Sequence, residues 1–165
     1  MFVTPMEETY PIIDELTRLL QAPDPALESI GFQSMLAASI EALNRVLRAE
    51  EYVAAAAISL AQQEKLQTLI HEIQQALALL MGALREPGKR LLDLTPSTVS
   101  SEHTSSWWYA LSEAIDQLEK DIKWLQSLTQ SQEKDSSTWQ LGMLIETMLQ
   151  EHLTRLMEEA ERWNP

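Results

Sequence analysis

The sequence predicts an all-α fold, an antiparallel helical bundle of four to five helices with heptad-like packing and one long central helix. Phe32–Met81 is a stretch of 50 residues without glycine or proline, the residue types that most often interrupt helices. Apolar residues elsewhere recur at spacings of three and four, and no segment alternates with the two-residue period of a strand. These observations predict one domain over residues 1–165, with linker-like segments near 22–25, 87–105 and 131–135.

The first helix is expected from about Pro11 to Gln21. Thr4-Pro5-Met6-Glu7 has the form of a capping box, but Pro11 soon interrupts because an interior proline removes an amide donor. The apolar stripe of this helix consists of Ile12, Ile13, Leu16, Leu19 and Leu20. Asp24 in the following linker is suited to cap the next helical segment.

The long uninterrupted stretch must fold back, because 50 residues of helix would extend about 75 Å. Charged residues around Arg48–Tyr52 interrupt the apolar repeat. We therefore expect one helix from 31 to 49 and a second from 51 to 86, although a single bent helix fits the same pattern. Pro87 and Gly88 predict a firm stop.

The second of these helices carries a heptad seam formed by Leu66, Ile70, Ile73, Leu77, Leu80 and Leu84. Spacings of four and three suit either a bundle with shallow crossing angles or a coiled coil. The seam is therefore expected to face the core of the bundle or another copy of the chain.

Two further helices complete the bundle. One is expected from about Ser106 to Gln130, with an inward stripe of Trp108, Leu111, Ile115, Leu118, Ile122 and Leu125. The last should begin near Asp135 and reach Trp163, with a stripe of Ile145, Met148, Leu149, His152, Leu156 and Ala160. Trp108 and Trp163 are accordingly expected in the core.

The charge balance excludes several classes of partner. The chain has 25 acidic and 12 basic residues, a net charge of −13, and no basic segment. Direct binding of nucleic acid and of anionic membranes is disfavoured, because both need clustered Lys and Arg. Cysteine is absent, which excludes disulfides, thiolate catalysis and cysteine zinc sites. Without a signal peptide or a membrane-length apolar run, a cytoplasmic location is expected.

The histidines do not have the spacing of a metal site. A carboxylate-bridged di-metal centre in a bundle uses Glu-x-x-His on two helices, whereas Leu149 lies three residues before His152 and Thr68 lies three before His71. His103 falls in a linker. We expect no metal or other cofactor, with His152 a partly buried core residue whose protonation can loosen packing as the pH falls.

Catalytic motifs are likewise missing from the sequence. No serine lies in a Gly-x-Ser-x-Gly context, and there is no glycine-rich phosphate loop. The acid pairs Glu50-Glu51 and Glu158-Glu159 are expected at solvated ends or faces. The sequence therefore predicts no catalytic residue, and a protein that is not an enzyme.

One side of the fourth helix is the best candidate for binding a protein. Tyr109, Glu113, Asp116, Lys120 and Trp124 follow one another at spacings of three and four, over about 22 Å. We refer to these five residues as the candidate interaction face, because exposed aromatic residues commonly anchor protein interfaces. Alternatively, a neighbouring helix or a dimer mate covers Trp124.

The function predicted from these observations is a non-enzymatic adaptor, export chaperone, immunity protein or assembly subunit. The segment around Arg48–Tyr52, with the following Gln63-Glu64-Lys65-Leu66, resembles the helical hairpins of flagellar export chaperones. The acidic charge favours a basic protein partner, and self-association through helices is also open. One alternative is an acidic inhibitor that mimics nucleic acid, weakened by the Lys and Arg residues interspersed among the acids. Another is a helical-bundle enzyme or a binder of a small ligand.

Overall fold

A computed structural model describes residues 10–85 and 106–162, and within these ranges the chain forms five α-helices and no strand. The helices are α1 (Pro11–Gln21), α2 (Ile30–Ala55), α3 (Leu60–Ala83), α4 (Trp107–Gln130) and α5 (Ser137–Arg162), with a short 3-10 helix at Pro25–Glu28. The all-α prediction is confirmed.

Short polar residues begin the helices. Asp24 caps the 3-10 helix, since its carboxylate accepts a hydrogen bond from the amide of Ala26. The hydroxyl groups of Ser29 and Ser106 accept from the third residue after each of them, at the starts of α2 and α4. These local signals mark where the 3-10 helix, α2 and α4 begin.

The predicted corner at Arg48–Tyr52 is wrong, and Phe32–Met81 is two helices with boundaries different from those expected. α2 continues to Ala55, and α3 begins at Leu60. The stronger signal is a capping box: the Ser59 hydroxyl accepts from the Gln62 amide, and the Gln62 side chain accepts from the Ser59 amide. The hairpin that resembled those of export chaperones therefore turns about seven residues later than expected.

α2 is the central helix of the bundle. It packs antiparallel to α3 and α4, and α4 packs antiparallel to α5. α1 lies between α3 and α5 and contacts both, whereas the backbones of α3 and α5 approach each other little. α2 and α5 consequently run parallel, which brings their C-terminal halves side by side.

The core is built mainly from leucine and isoleucine. The seam residues Leu66, Ile70, Ile73, Leu77 and Leu80 are buried within the chain's own bundle, so the core-facing alternative is the one observed. The stripe predicted for α5 is also buried from Ile145 to Leu156. Within the described residues, every helix is too short or too polar to span a lipid bilayer.

The inward register of α4 differs from the prediction at its first turn. Trp107 is 3% exposed, and Trp108, expected in the core, is 36% exposed at the rim. The inward stripe runs through Trp107, Ala110 and Ala114, because alanines allow α4 to approach its neighbours closely while Ile115 is only half-buried. Trp163 lies outside the described residues.

Candidate functional site

The candidate interaction face lies along the outer side of α4. Tyr109, Glu113, Asp116 and Lys120 are exposed. Asp116 and Lys120 form an ion pair with a nitrogen–oxygen distance of 2.9 Å. Trp124 is half-buried and packs against the core of its own chain. The structure thus brings the five residues to one side of α4, with Trp124 partly covered by α2.

Arg45 of α2 covers Trp124. Its guanidinium carbon lies 5.1 Å from the centroid of the tryptophan ring, within the range of a cation–π contact. Two nitrogen atoms of Arg45 donate to one carboxylate oxygen of Asp121, at 3.0 and 2.7 Å. Gln117 donates to the other oxygen at 2.9 Å. Because Asp121 holds the guanidinium over the ring, Arg45 covers one face of Trp124.

Trp124 of α4 also borders an open groove of about 570 Å³ that lies along the first half of α2, beside the residues that follow α3. We call this the α2–α4 groove. Its apolar lining consists of Ile30, Ala37, Ala38, Leu84 and Trp124, with Glu28, Glu41 and Arg85 among the polar residues. Ile30 is 86% exposed, and Arg85 forms an ion pair with Glu28 at 2.7 Å. A large apolar side chain on the rim of an open groove is a feature of binding surfaces.

Exposed apolar residues also occur at the opposite end of the bundle. Ile58, in the turn between α2 and α3, is 80% exposed, and Leu60 and Met157 are exposed as well. Ile58 therefore matches Ile30 in residue type and in exposure while lying far from the groove along α2. The pair provides a matched comparison for any test of binding.

The core contains a group of charges that sequence reasoning did not find. His152 of α5 lies between Glu50 of α2 and Glu72 of α3, and we call these three residues the acid–histidine cluster. The Nδ1 atom of His152 is 2.6 Å from an oxygen of Glu50, and Nε2 is 2.6 Å from an oxygen of Glu72. All three residues are buried.

Burial and charge act in opposite directions on these groups. Burial lowers the pKa of His152, but the two carboxylates, Glu50 first, outweigh it and raise that pKa to about 9. Burial raises the pKa of Glu50, against the opposing effect of His152. At neutral pH the ring is therefore an imidazolium, and each of its N–H groups donates to a different carboxylate.

The cluster is arranged as a chain of hydrogen bonds. In the described part of the molecule, no group of His, Asp and Glu residues is placed to hold a metal ion. Both ring nitrogens of His152 face carboxylates on opposite sides, so the three side chains do not converge on one point. The free oxygen of Glu50 is buried without a hydrogen-bond partner, which leaves the cluster only partly satisfied.

Several expectations about these charges were wrong. Glu50 is fully buried, and Glu159 is buried against Lys65 at 2.7 Å, although both acid pairs were expected at solvated positions. His152 is fully buried rather than partly buried. Glu51 and Glu158 are exposed, as predicted. The exposed His71 lies near Tyr10, and His103 is outside the described residues.

One signal in the sequence could have located the cluster. Glu50 lies on the apolar stripe of α2, four residues after Val46 and three before Val53. Glu72 similarly lies three residues after Leu69. A carboxylate at a core position is rarely buried without a partner, so these positions predict a buried cation, which His152 supplies.

Comparison with protein families, with characterised proteins and with solved structures finds no match to this chain.

Proposed function

We propose that this protein is a non-enzymatic helical bundle that binds a protein partner through the candidate interaction face and the adjoining α2–α4 groove. The observation that carries the proposal is Trp124, which is half-buried under Arg45 and borders an open groove with the exposed Ile30 on its lining. Tryptophan and arginine are among the residues that contribute most to binding energy at interfaces.

The charge of the chain supports a basic partner. The net charge is −13, and a complementary partner would be attracted over about one Debye length. Acids on this side of the molecule are partly paired, as Asp116 is with Lys120 and Glu28 with Arg85. This pairing suits a protein interface better than a mimic of the phosphate backbone. We also propose a cytoplasmic location.

The proposal is tested by affinity capture from a native lysate with the wild-type chain and two single variants. Ile30→Lys places a charge on the groove, and we expect it to reduce recovery of the specific partner at least tenfold. Ile58→Lys is the matched control, because it makes the same change at a residue of similar exposure away from the groove. Recovery with this control should equal that of the wild type.

Two further variants separate the face from the groove. Tyr109→Ala removes an exposed aromatic side chain, and Ala38→Arg fills the groove without removing any contact. Circular dichroism checks that each variant is folded. If every variant on this side of the molecule retains the partner, the surface is excluded and the proposal fails.

A further inference from the structure

α3 and α5 are separated by a long gap that α1 fills only in part. α1 has 11 residues, whereas α3 has 24 and α5 has 26. Near the N-terminal end of α1, the hydroxyl of Tyr10 donates to the carbonyl of Thr68 at 3.4 Å. Within the described residues, the gap then continues as a channel of about 700 Å³, which we call the α3–α5 furrow.

The furrow is lined by the first half of α3 and the second half of α5. Its lining includes Lys65, Thr68 and Leu69 on one side and Gln150, Thr154 and Glu158 on the other. Two charged contacts cross from α3 to α5 in this region. Glu72 contacts His152 at 2.6 Å, and Lys65 contacts Glu159 at 2.7 Å.

We propose that the width of the α3–α5 furrow is proton-dependent: the imidazolium of His152 ties Glu72 of α3 to α5, and loss of its proton releases this contact. A neutral imidazole has one N–H group and one lone pair. It can donate to only one carboxylate, and the other carboxylate then faces the lone pair at hydrogen-bonding distance. That repulsion opens one of the two contacts, and the proton passes to solvent.

The contact that opens is the one to Glu72. The side chain of Glu72 is 10% exposed, whereas that of Glu50 is fully buried. A carboxylate that loses its cation needs water, and only Glu72 can reach water through a small movement of α3. Glu50 therefore keeps the remaining N–H group, and the furrow widens on the α3 side.

Few other charges act on the ring. Glu50 and Glu72 are the charged groups that shift the pKa of His152. Asp121 of α4 is engaged with Arg45, and Glu159 with Lys65. The remaining charged side chains near the cluster or on α1 are exposed or half-buried: Asp14, Glu15, Arg18, Arg48, Glu51, Glu151 and Arg155.

The direction of the pH effect follows from the raised pKa. His152 binds its proton more tightly in the folded chain, with a pKa of about 9 against an ordinary value of 6.5. The stabilisation is complete below pH 6.5 and is lost as the pH rises through 9. The furrow should accordingly keep its observed width at neutral pH and become wider in alkaline solution.

The experiment measures the width of the furrow with two spin labels. The chain has no cysteine, so Gln67→Cys and Gln150→Cys, both at exposed positions, can be labelled selectively. Double electron–electron resonance should show that the distance between the two labels increases as the pH rises, with a midpoint near pH 9. A second pair, Ser127→Cys and Met143→Cys, reports on the packing of α4 against α5 and should keep its distance.

Two variants connect the movement to the cluster. Glu72→Gln replaces the carboxylate with an amide that can donate to the lone pair of the neutral ring, so the distance across the furrow should no longer increase with pH, while the pKa of His152 should fall. His152→Gln should also abolish the pH dependence of the distance, and if this variant does not fold, the response of Glu72→Gln still decides. NMR titration of the three histidines in the wild type gives the pKa of His152 directly.

The proposal is overturned by any of three results. The first is a distance across the furrow that stays constant from pH 7 to 10.5 in folded protein. The second is a control pair that separates together with the furrow pair, which indicates global unfolding. The third is a titration of His152 near its ordinary pKa of 6.5.

Discussion

α2 contributes to two groups of buried charges, the Arg45–Asp121 pair and the acid–histidine cluster. They differ in how many of the carboxylate oxygens have hydrogen-bond partners. Asp121 receives hydrogen bonds on both oxygens, from Arg45 and Gln117, and the Arg45 side chain is 40% exposed. In the acid–histidine cluster the two carboxylates share one buried ring, and one oxygen of Glu50 has no hydrogen-bond partner.

The difference lies in the chemistry of the cation. A guanidinium stays charged at every pH at which the protein folds and keeps contact with water, so the Arg45–Asp121 pair should hold its structure over a wide range. An imidazolium can lose its proton, and burial leaves His152 no water to replace a lost contact. The same helix therefore carries one pH-insensitive and one pH-sensitive charge cluster.

The largest effect should come from removing the cation of the sensitive cluster. His152→Ala leaves Glu50 and Glu72 buried without a counter-ion and creates a cavity, and we expect a loss of about 3–5 kcal/mol in the free energy of unfolding. Urea denaturation at pH 7 measures this loss. A cost below about 1 kcal/mol would mean that the buried carboxylates do not depend on His152.

The pH dependence of stability is the next largest effect. The raised pKa of His152, about 9 in the folded chain, predicts a loss of about 3 kcal/mol between pH 6.5 and pH values above 9. Urea denaturation across this range tests the slope, and His152→Gln should flatten it.

A smaller effect is expected in the satisfied cluster. Asp121→Asn keeps the shape of the side chain and removes the charge that holds Arg45, and the exposed part of Arg45 can turn to water. We expect a loss of about 1–3 kcal/mol, with the same value at pH 7 and pH 9.5. A loss that changes between these two pH values would contradict the contrast between the clusters.

The smallest effect should come from the ion pair at the edge of the furrow. Glu159→Gln removes the charge of the buried partner and leaves Lys65, whose side chain is 39% exposed, able to turn to water. We expect a loss of about 1 kcal/mol. The midpoint temperature of thermal unfolding should fall by only a few degrees. A fall as large as that of His152→Ala would mean that this ion pair, and not the acid–histidine cluster, holds α3 against α5.

Sequence reasoning predicted the positions of the helices better than the positions of the polar residues in the core. The limits of α1 and the burial of the α3 seam were predicted from proline placement and from apolar periodicity, which are local properties. The turn at Ala56–Ser59 was missed because charges at Arg48–Tyr52 were interpreted as a break, while the capping box at Ser59 and Gln62 was not weighed. The register of Trp107 and Trp108 was missed because both fit an apolar stripe.

The acid–histidine cluster was missed for a different reason. Glu50, Glu72 and His152 are far apart in the sequence and lie on three helices, and only the packing of α5 beside the hairpin of α2 and α3 joins them. The candidate interaction face was predicted as a set because its five residues lie on one helix. The groove beside Trp124 was not, since Ile30 and Ala38 come from α2.

By itself the sequence determined that this chain is helical, acidic and free of cysteine, and where most apolar stripes lie, because these follow from composition and from contacts within a few residues. Tertiary structure alone decided which charged residues enter the core, since a buried charge depends on a partner brought to it from another helix. It also decided that, among the described residues, α1 covers only part of the gap between α3 and α5, so that the furrow remains between these two helices.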